Sequence, residues 1–212
     1  MIEHNIEQGT PGWHKLRAGI PTASEFKKLV TSQCLPSESI DEYALVLASE
    51  KWAGYNVDGF GGNKYTDRGK ELESLARADY QMKMQLVTTR VGFYTDNLKQ
   101  YGCSPDDFIG DDGASEYKCK IAKEHLKAVL HYQEYGTIPS EYYAQPQGVM
   151  FITKKKWCDL VFFHPELPGL IIRQYPDKDF FRELRRQLKA VIVKRNIIYQ
   201  QIKEIHSNPF RR

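Results

Sequence analysis

A chain of 212 residues with 41% hydrophobic and 27% charged content has the balance of a folded domain rather than a disordered tract, and its length suits a single domain over 1–212. A formal net charge of +3 gives only a slight bias toward a polyanionic partner. No apolar run approaches the ~18 residues of a membrane span, and the start Met-Ile-Glu-His-Asn lacks a basic stretch followed by an apolar one, so a cytoplasmic protein without membrane contact is expected.

In chain order, a short helix should close at Gly19. Thr22-Ala-Ser-Glu25 then reads as a capping box opening a helix with Phe26, Leu29 and Val30 on its apolar face. Tyr43, Leu45, Val46, Leu47 and Trp52 suit a largely buried helix from Ser39 to Ala53, ended near Gly54, and Gly59-Phe-Gly-Gly62 reads as a loop. Leu72, Leu75, Ala76 and Tyr80 recur at helical spacing between about Thr66 and Met82. From Leu86 to Tyr94 β-branched and aromatic residues predict a strand. Asp106–Gly110 and Ser115–Lys120 flank the turn signal Asp111-Asp-Gly113 and predict a hairpin. Helices are expected over Ala122–Tyr135 and Glu141–Ile152, strands over Trp157–Phe163 and Leu170–Tyr175, and a long amphipathic helix from about Asp177.

The chemistry concentrates in Ser104-Pro-Asp106 followed by Glu116-Tyr-Lys118. Residues two apart on a strand share a face, so Glu116 and Lys118 point together while Tyr117 faces the opposite layer, and hairpin pairing brings Asp106 alongside. Two converging carboxylates repel unless a cation lies between them, and Mg²⁺ suits so sparse a set of hard oxygen ligands because it keeps waters and takes phosphate oxygens. Lys118 would then orient or deprotonate the water that attacks a phosphodiester. On this motif alone, a surface ion pair of Glu116 with Lys118 and a turn begun by Asp106 are an equally good description.

Further segments extend the pattern: Glu7-Gln-Gly with Trp13-His-Lys-Leu-Arg17, Thr22-Ala-Ser24, Gly69-Lys-Glu-Leu-Glu73, Cys103-Ser-Pro-Asp106, Glu116-x-Lys118-Cys119 and Ala144-Gln-x-Gln147. In these the chain resembles the lambda-type phage recombination exonucleases, also called the YqaJ-like viral recombinase family. The resemblance implies an α/β fold with a restriction-endonuclease-like PD-(D/E)xK core, a central mixed β-sheet flanked by helices, and an N-terminal helical portion. It implies 5′-to-3′ digestion of one strand of linear duplex DNA to mononucleotides, leaving a 3′ single strand for recombination by strand annealing. It also implies a phage or prophage gene acting in a bacterial cytoplasm, a homotrimer ring, a single-strand annealing protein as partner, and two Mg²⁺ ions per site, with Mn²⁺ as a substitute. Residue by residue, it makes Asp106, Glu116, Glu73 and the Tyr117 backbone carbonyl metal ligands, Lys118 the catalytic lysine and Gln145 an active-site glutamine. Arg17, Ser24 and Ser104, with Lys123 or Lys120, fall in its pocket for a 5′-terminal phosphate. Taken without the resemblance, Glu73 and Arg17 are ordinary helix charges and Gln145 a cap or surface amide.

The chain departs from the family where glycine usually follows Ser-Pro-Asp: Asp107 stands there, adding charge beside the metals or facing away. Lys120 likewise replaces the usual proline. Lys154-Lys-Lys156 reads as a solvated turn, and His125 and His131 lack metal-ligand spacing. No G-x-x-x-x-G-K-[ST] loop is present, so no use of ATP is expected. Cys34, Cys103, Cys119 and Cys158 form no C-x-x-C pair and are expected as free thiols. The competing functions are a repair or nicking endonuclease of the same fold and a DNA-binding subunit without catalysis.

Overall fold

The computed structural model describes residues 1–57 and 64–208, and of residues 64–71 the backbone alone. The predicted loop Gly59–Gly62 lies outside the described residues. Helix α1 (Pro11–Arg17) opens on Thr10, whose hydroxyl accepts from the Trp13 amide, with proline in the first turn. The next element is a 3-10 helix (Ala23–Lys28), not the α-helix expected from the capping box, and Thr22 makes no side-chain cap bond. Its hydroxyl accepts from Arg17 and pairs with Ser24 instead. Helix α2 (Ile40–Ala53) ends on Gly54 at φ 79°. Tyr43, Ala44, Leu47 and Ala48 are buried, but Leu45 is 57% exposed, so α2 is half buried rather than largely buried. Helix α3 (Lys64–Met84) follows.

The expected strand Leu86–Tyr94 is two strands in different sheets. β1 (Ile2–His4), β3 (Phe93–Thr95) and β4 (Gly102–Cys103) form a 3-stranded sheet in the order β1-β3-β4. β2 (Thr89–Arg90), β5 (Asp107–Ile109), β6 (Gly113–Lys118), β7 (Trp157–Phe162) and β8 (Leu170–Gln174) form a 5-stranded mixed sheet in the order β2-β5-β6-β7-β8. β5 and β6 are the predicted hairpin, with Asp107 opposite Ser115. β6 and β7 run parallel, which requires a crossover, supplied by α4 (Ala122–Tyr135) and α5 (Ser140–Thr153). Helix α6 (Lys178–Ser207) is capped by Asp177, whose carboxylate accepts from the Asp179 and Phe180 amides.

The sheet is covered on both faces. Ala114 and Cys158 join the main core with Phe26, Leu47, Met150, Phe180 and Leu188 from the helical elements. Tyr117 and Val161 meet Ala76 and Tyr80 of α3. The strand alternation thus sends Tyr117 to the α3 side and leaves Glu116 and Lys118 for the α5 side. Full burial of a side chain such as Phe26 contributes about 1.5–3 kcal/mol, so the 3-10 helix is anchored by that ring. Arg195 of α6 is buried and donates to the Gly19 carbonyl at 2.8 Å, tying the far end of the chain to the corner after α1. The lysine run tethers the hairpin turn: Lys155 Nζ donates to the Gly110 and Asp111 carbonyls, and Lys156 pairs with Asp112.

Candidate active site

Asp106 sits immediately before β5, where Pro105 and the start of strand pairing aim its carboxylate across to β6. There Oδ2 accepts from the Tyr117 amide at 2.6 Å. In an extended strand a residue's N–H and C=O point to the same edge, so the Tyr117 carbonyl turns toward Asp106 as well. On β6, Lys118 Nζ donates to Glu116 Oε1 at 2.9 Å and to Gln145 Oε1 at 2.7 Å, and the Gln145 amide donates to the same glutamate oxygen. Gln145 is therefore neither a cap nor a surface amide; α5, crossing from β6 to β7, carries it inward onto the strand. Glu73 reaches the site from α3 and shares with Asp106 the wall of a cleft of about 570 Å³ lined also by Trp13, Arg90 and residues 5–9.

The electrostatics are those of a site short of positive charge. Burial, then Glu116, then Glu73 push the Asp106 carboxyl well above the usual carboxylate range, despite the Tyr117 amide. Burial opposes the Lys118 ammonium, but Glu116 and Asp106 outweigh it and hold its pKa above the ordinary lysine value. Glu116 Oε2 is buried without a hydrogen-bond partner. An orphaned anionic oxygen beside a second repelled carboxyl fits a divalent cation, which would satisfy both. Among the described residues no three His, Cys, Asp or Glu side chains are gathered closely enough to hold a metal ion by themselves. An ion that keeps waters and takes phosphate oxygens needs no such group.

Beside the carboxylates lies a second constellation. Arg17 Nη1 donates to Ser104 Oγ at 3.4 Å, and Nη2 to Thr22 Oγ1 and Ser24 Oγ at 3.3 Å each. The guanidinium stacks 4.2 Å from the Trp13 ring, whose Nε1 donates to Ser104 Oγ at 2.8 Å. Burial lowers the Arg17 pKa, which still leaves a permanent cation. The predicted residues Arg17, Ser24 and Ser104 are brought together. Lys123 is not part of them: it is exposed in the first turn of α4, and none of the bonds holding Arg17 involves it. Lys120 is the basic residue near the site, within electrostatic reach of Lys118 and Lys27.

Sequence reasoning missed Trp13 and Thr22 as members of this pocket, and missed Arg77. The signal for Arg77 was its i+4 spacing from Glu73. Asp107 faces away from Glu116 and Lys118. It is 0% exposed and accepts from Arg77 Nε at 3.0 and 2.7 Å, so its charge is neutralised rather than added to the Glu116 side of the sheet.

A mixed sheet flanked by helices, with Asp, Glu, Lys and Gln converging at one strand and a cationic pocket adjoining, is the framework of a nuclease. The chain belongs to the YqaJ-like viral recombinase domain family, whose model matches residues 12–156. Its structure superposes with TM-score 0.80 on an alkaline exonuclease (LHK-Exo) from Laribacter hongkongensis, 27% identical, over 93% of this chain and 98% of that one. The same enzyme in complex with dAMP matches equally, at TM-score 0.80. A phage-related exonuclease from Haemophilus somnus 129PT, 15% identical, matches in fold at TM-score 0.68 over 86% of this chain and 96% of that one. Comparison with curated proteins returned no match. Among the described residues no helix is long and apolar enough to cross a membrane.

Proposed function

We propose that this nuclease is a Mg²⁺-dependent exonuclease that enters linear duplex DNA at a 5′-phosphorylated end and digests that strand to mononucleotides, leaving a 3′ single strand for annealing. The observation that carries the reading is the placement of the Arg17 pocket beside the Asp106, Glu116, Lys118 cluster, through Ser104, two residues before Asp106. Asp106, Glu116, Glu73 and the Tyr117 carbonyl would hold the cation. When bound, it would neutralise the carboxylates and polarise the scissile phosphate. Lys118, kept as an ammonium by its acidic neighbours, donates to and orients the attacking water, and Gln145 fixes Lys118 and Glu116 relative to each other. Arg17, Ser24, Ser104 and Thr22 grip the terminal phosphate, placing the next phosphodiester at the carboxylates. Water adds to that phosphorus, the P–O3′ bond breaks, and the released nucleotide keeps a 3′ hydroxyl. The new end again carries a 5′ phosphate, so each product is a fresh substrate. The relative bound to dAMP is compatible with a mononucleotide product. A homotrimer ring and a single-strand annealing partner complete the proposal, and phosphate contacts leave it without base preference.

Linear and covalently closed duplexes incubated with Mg²⁺ provide the test, alongside Glu116→Gln and Lys118→Ala. Mononucleotide release from linear DNA and not from closed circles, faster at 5′-phosphorylated ends and abolished in both variants, is expected. Equal attack on closed circles would identify an endonuclease, and parental turnover in the variants would remove these residues from the site. DNA binding without turnover in the parent would make the chain a non-catalytic subunit.

A further inference from the structure

Asp107 and Arg77 are a buried pair that the chemistry above does not use. Asp107 lies on the α3 side of the sheet, where Arg77 Nε contacts both of its carboxylate oxygens and Tyr117 Oη donates to Oδ2 at 2.7 Å. The same guanidinium reaches onward: its Nη2 donates to Glu73 Oε1 at 3.0 Å, and it lies 5.4 Å over the Tyr117 ring. One rigid planar group thus joins the carboxylate on α3 to the back of the strand whose front carries Glu116 and Lys118.

We propose that Arg77, braced by Asp107, is a positioning residue that holds Glu73 in register with Asp106 and Glu116 for the divalent ion; this rests on the reading of Glu73 as a carboxylate serving that ion. A glutamate on a helix surface has several rotatable bonds and loses entropy when ordered. A guanidinium already fixed by Asp107 orders it at little further cost and leaves Oε2 free. Asp107 also balances the Arg77 charge, so the brace adds no net positive charge beside the cation site. Arg90 contacts the same Glu73 oxygen at 3.5 Å but is 66% exposed, and a solvated pair of this kind holds little. For stability alone a buried Asp–Arg pair offers no clear advantage over apolar packing.

The test is Mn²⁺ binding to DNA-free protein, read by electron paramagnetic resonance, together with the Mg²⁺ dependence of turnover. Arg77→Lys keeps a cation against Asp107 but lacks the second nitrogen that reaches Glu73. Asp107→Asn loosens the brace from the other side. Both are expected to weaken Mn²⁺ binding about tenfold and to raise the Mg²⁺ requirement, with kcat recovering at high Mg²⁺ and KM for DNA ends unchanged. Asp159→Asn is the control: Asp159 is equally buried and paired with Arg173 on the same face, so this variant should lower Tm and leave Mn²⁺ affinity alone. Arg77→Lys with parental Mn²⁺ affinity and a lowered Tm would overturn the proposal, and this variant decides should Asp107→Asn fail to fold. Glu116→Gln separates the two levels. If it binds Mn²⁺ as the parent does, the metal site itself is wrong. If it loses Mn²⁺ while Arg77→Lys and Asp107→Asn do not, only the brace is wrong.

Discussion

Gly148 of α5 is buried against the 3-10 helix, and replacing it with alanine tests whether that contact sets the geometry of the phosphate pocket. An added Cβ would lie 2.5 Å from Phe26 Cδ2 and 2.9 Å from Ala23 Cβ. Carbon atoms rest at about 3.5–4.0 Å, so the 3-10 helix must retreat by about 1 Å. The Phe26 ring has no exposed surface into which to swing. Overpacking of this kind costs about 1–3 kcal/mol, against which alanine returns about 1 kcal/mol of helix propensity, for a net loss of up to about 2 kcal/mol. In a chain of this size that lowers Tm by up to about 8 °C. Because the displaced segment carries Ser24 and adjoins Thr22, the preference for 5′-phosphorylated over 5′-hydroxyl ends should fall about tenfold or more. Thermal melting in chelator and paired rate measurements on the two kinds of end provide the readouts. An unchanged Tm with intact end preference would refute the idea that this packing positions the pocket.

Arg17→Ala should remove about 2 kcal/mol of charge-assisted binding and cut the preference for phosphorylated ends about 30-fold, leaving turnover of hydroxyl ends near the parental rate; equal losses on both ends would contradict the pocket assignment. Asp106→Asn should abolish turnover yet stabilise the metal-free protein at neutral pH. The raised Asp106 pKa means that the folded state keeps a proton the unfolded state releases, so parental stability declines as pH rises from the ordinary value of 3.8 through the folded pKa, and the variant's advantage should vanish below that window. Melting curves from pH 3 to pH 8 in chelator check this, and an advantage independent of pH would contradict it. Asp177 has the opposite sign. Burial opposes its charge, but Tyr143 and the Phe180 and Asp179 amides hold its pKa below 3.8, so its contribution is present above that value and is lost as pH falls through the folded pKa. Asp177→Ala should cost about 1–2 kcal/mol at pH 7, with the difference from the parent shrinking in strong acid; a constant difference across pH would argue against the cap.

The hairpin and the convergence of Asp106, Glu116 and Lys118 were legible because strand alternation has a period of two residues. Glu116 and Lys118 had to share a face, and Asp111-Asp-Gly113 announced the turn that returns Asp106 to them. The range of α2 followed from its apolar residues and the glycine that ends it, and α4 and α5 lie within a residue of the expected ranges. What escaped was non-local. Leu86–Tyr94 has the composition of one strand, but at Gly92 the chain passes so close to β1 that an added Cβ would lie 2.3 Å from the His4 carbonyl oxygen, and the run divides there between two sheets. The isolated glycine was the available sign. Thr22 resembles a helix cap because hydroxyl side chains suit both caps and phosphate pockets, and only the position of Arg17 decides between them. Whether Asp107 added charge beside Asp106 or faced away stayed open in the sequence because its partner lies 30 positions earlier.

The link from Arg195 to the Gly19 carbonyl bears on how the protein is made. During synthesis the strands bearing the acidic residues leave the ribosome well before α6, whereas the corner beside Arg17 acquires its buttress only when Arg195 emerges. The same helix brings Phe180 and Leu188 to the core against Ala114 and Cys158, so the sheet that carries Glu116 and the corner beside Arg17 are completed in one step, when the last helix packs.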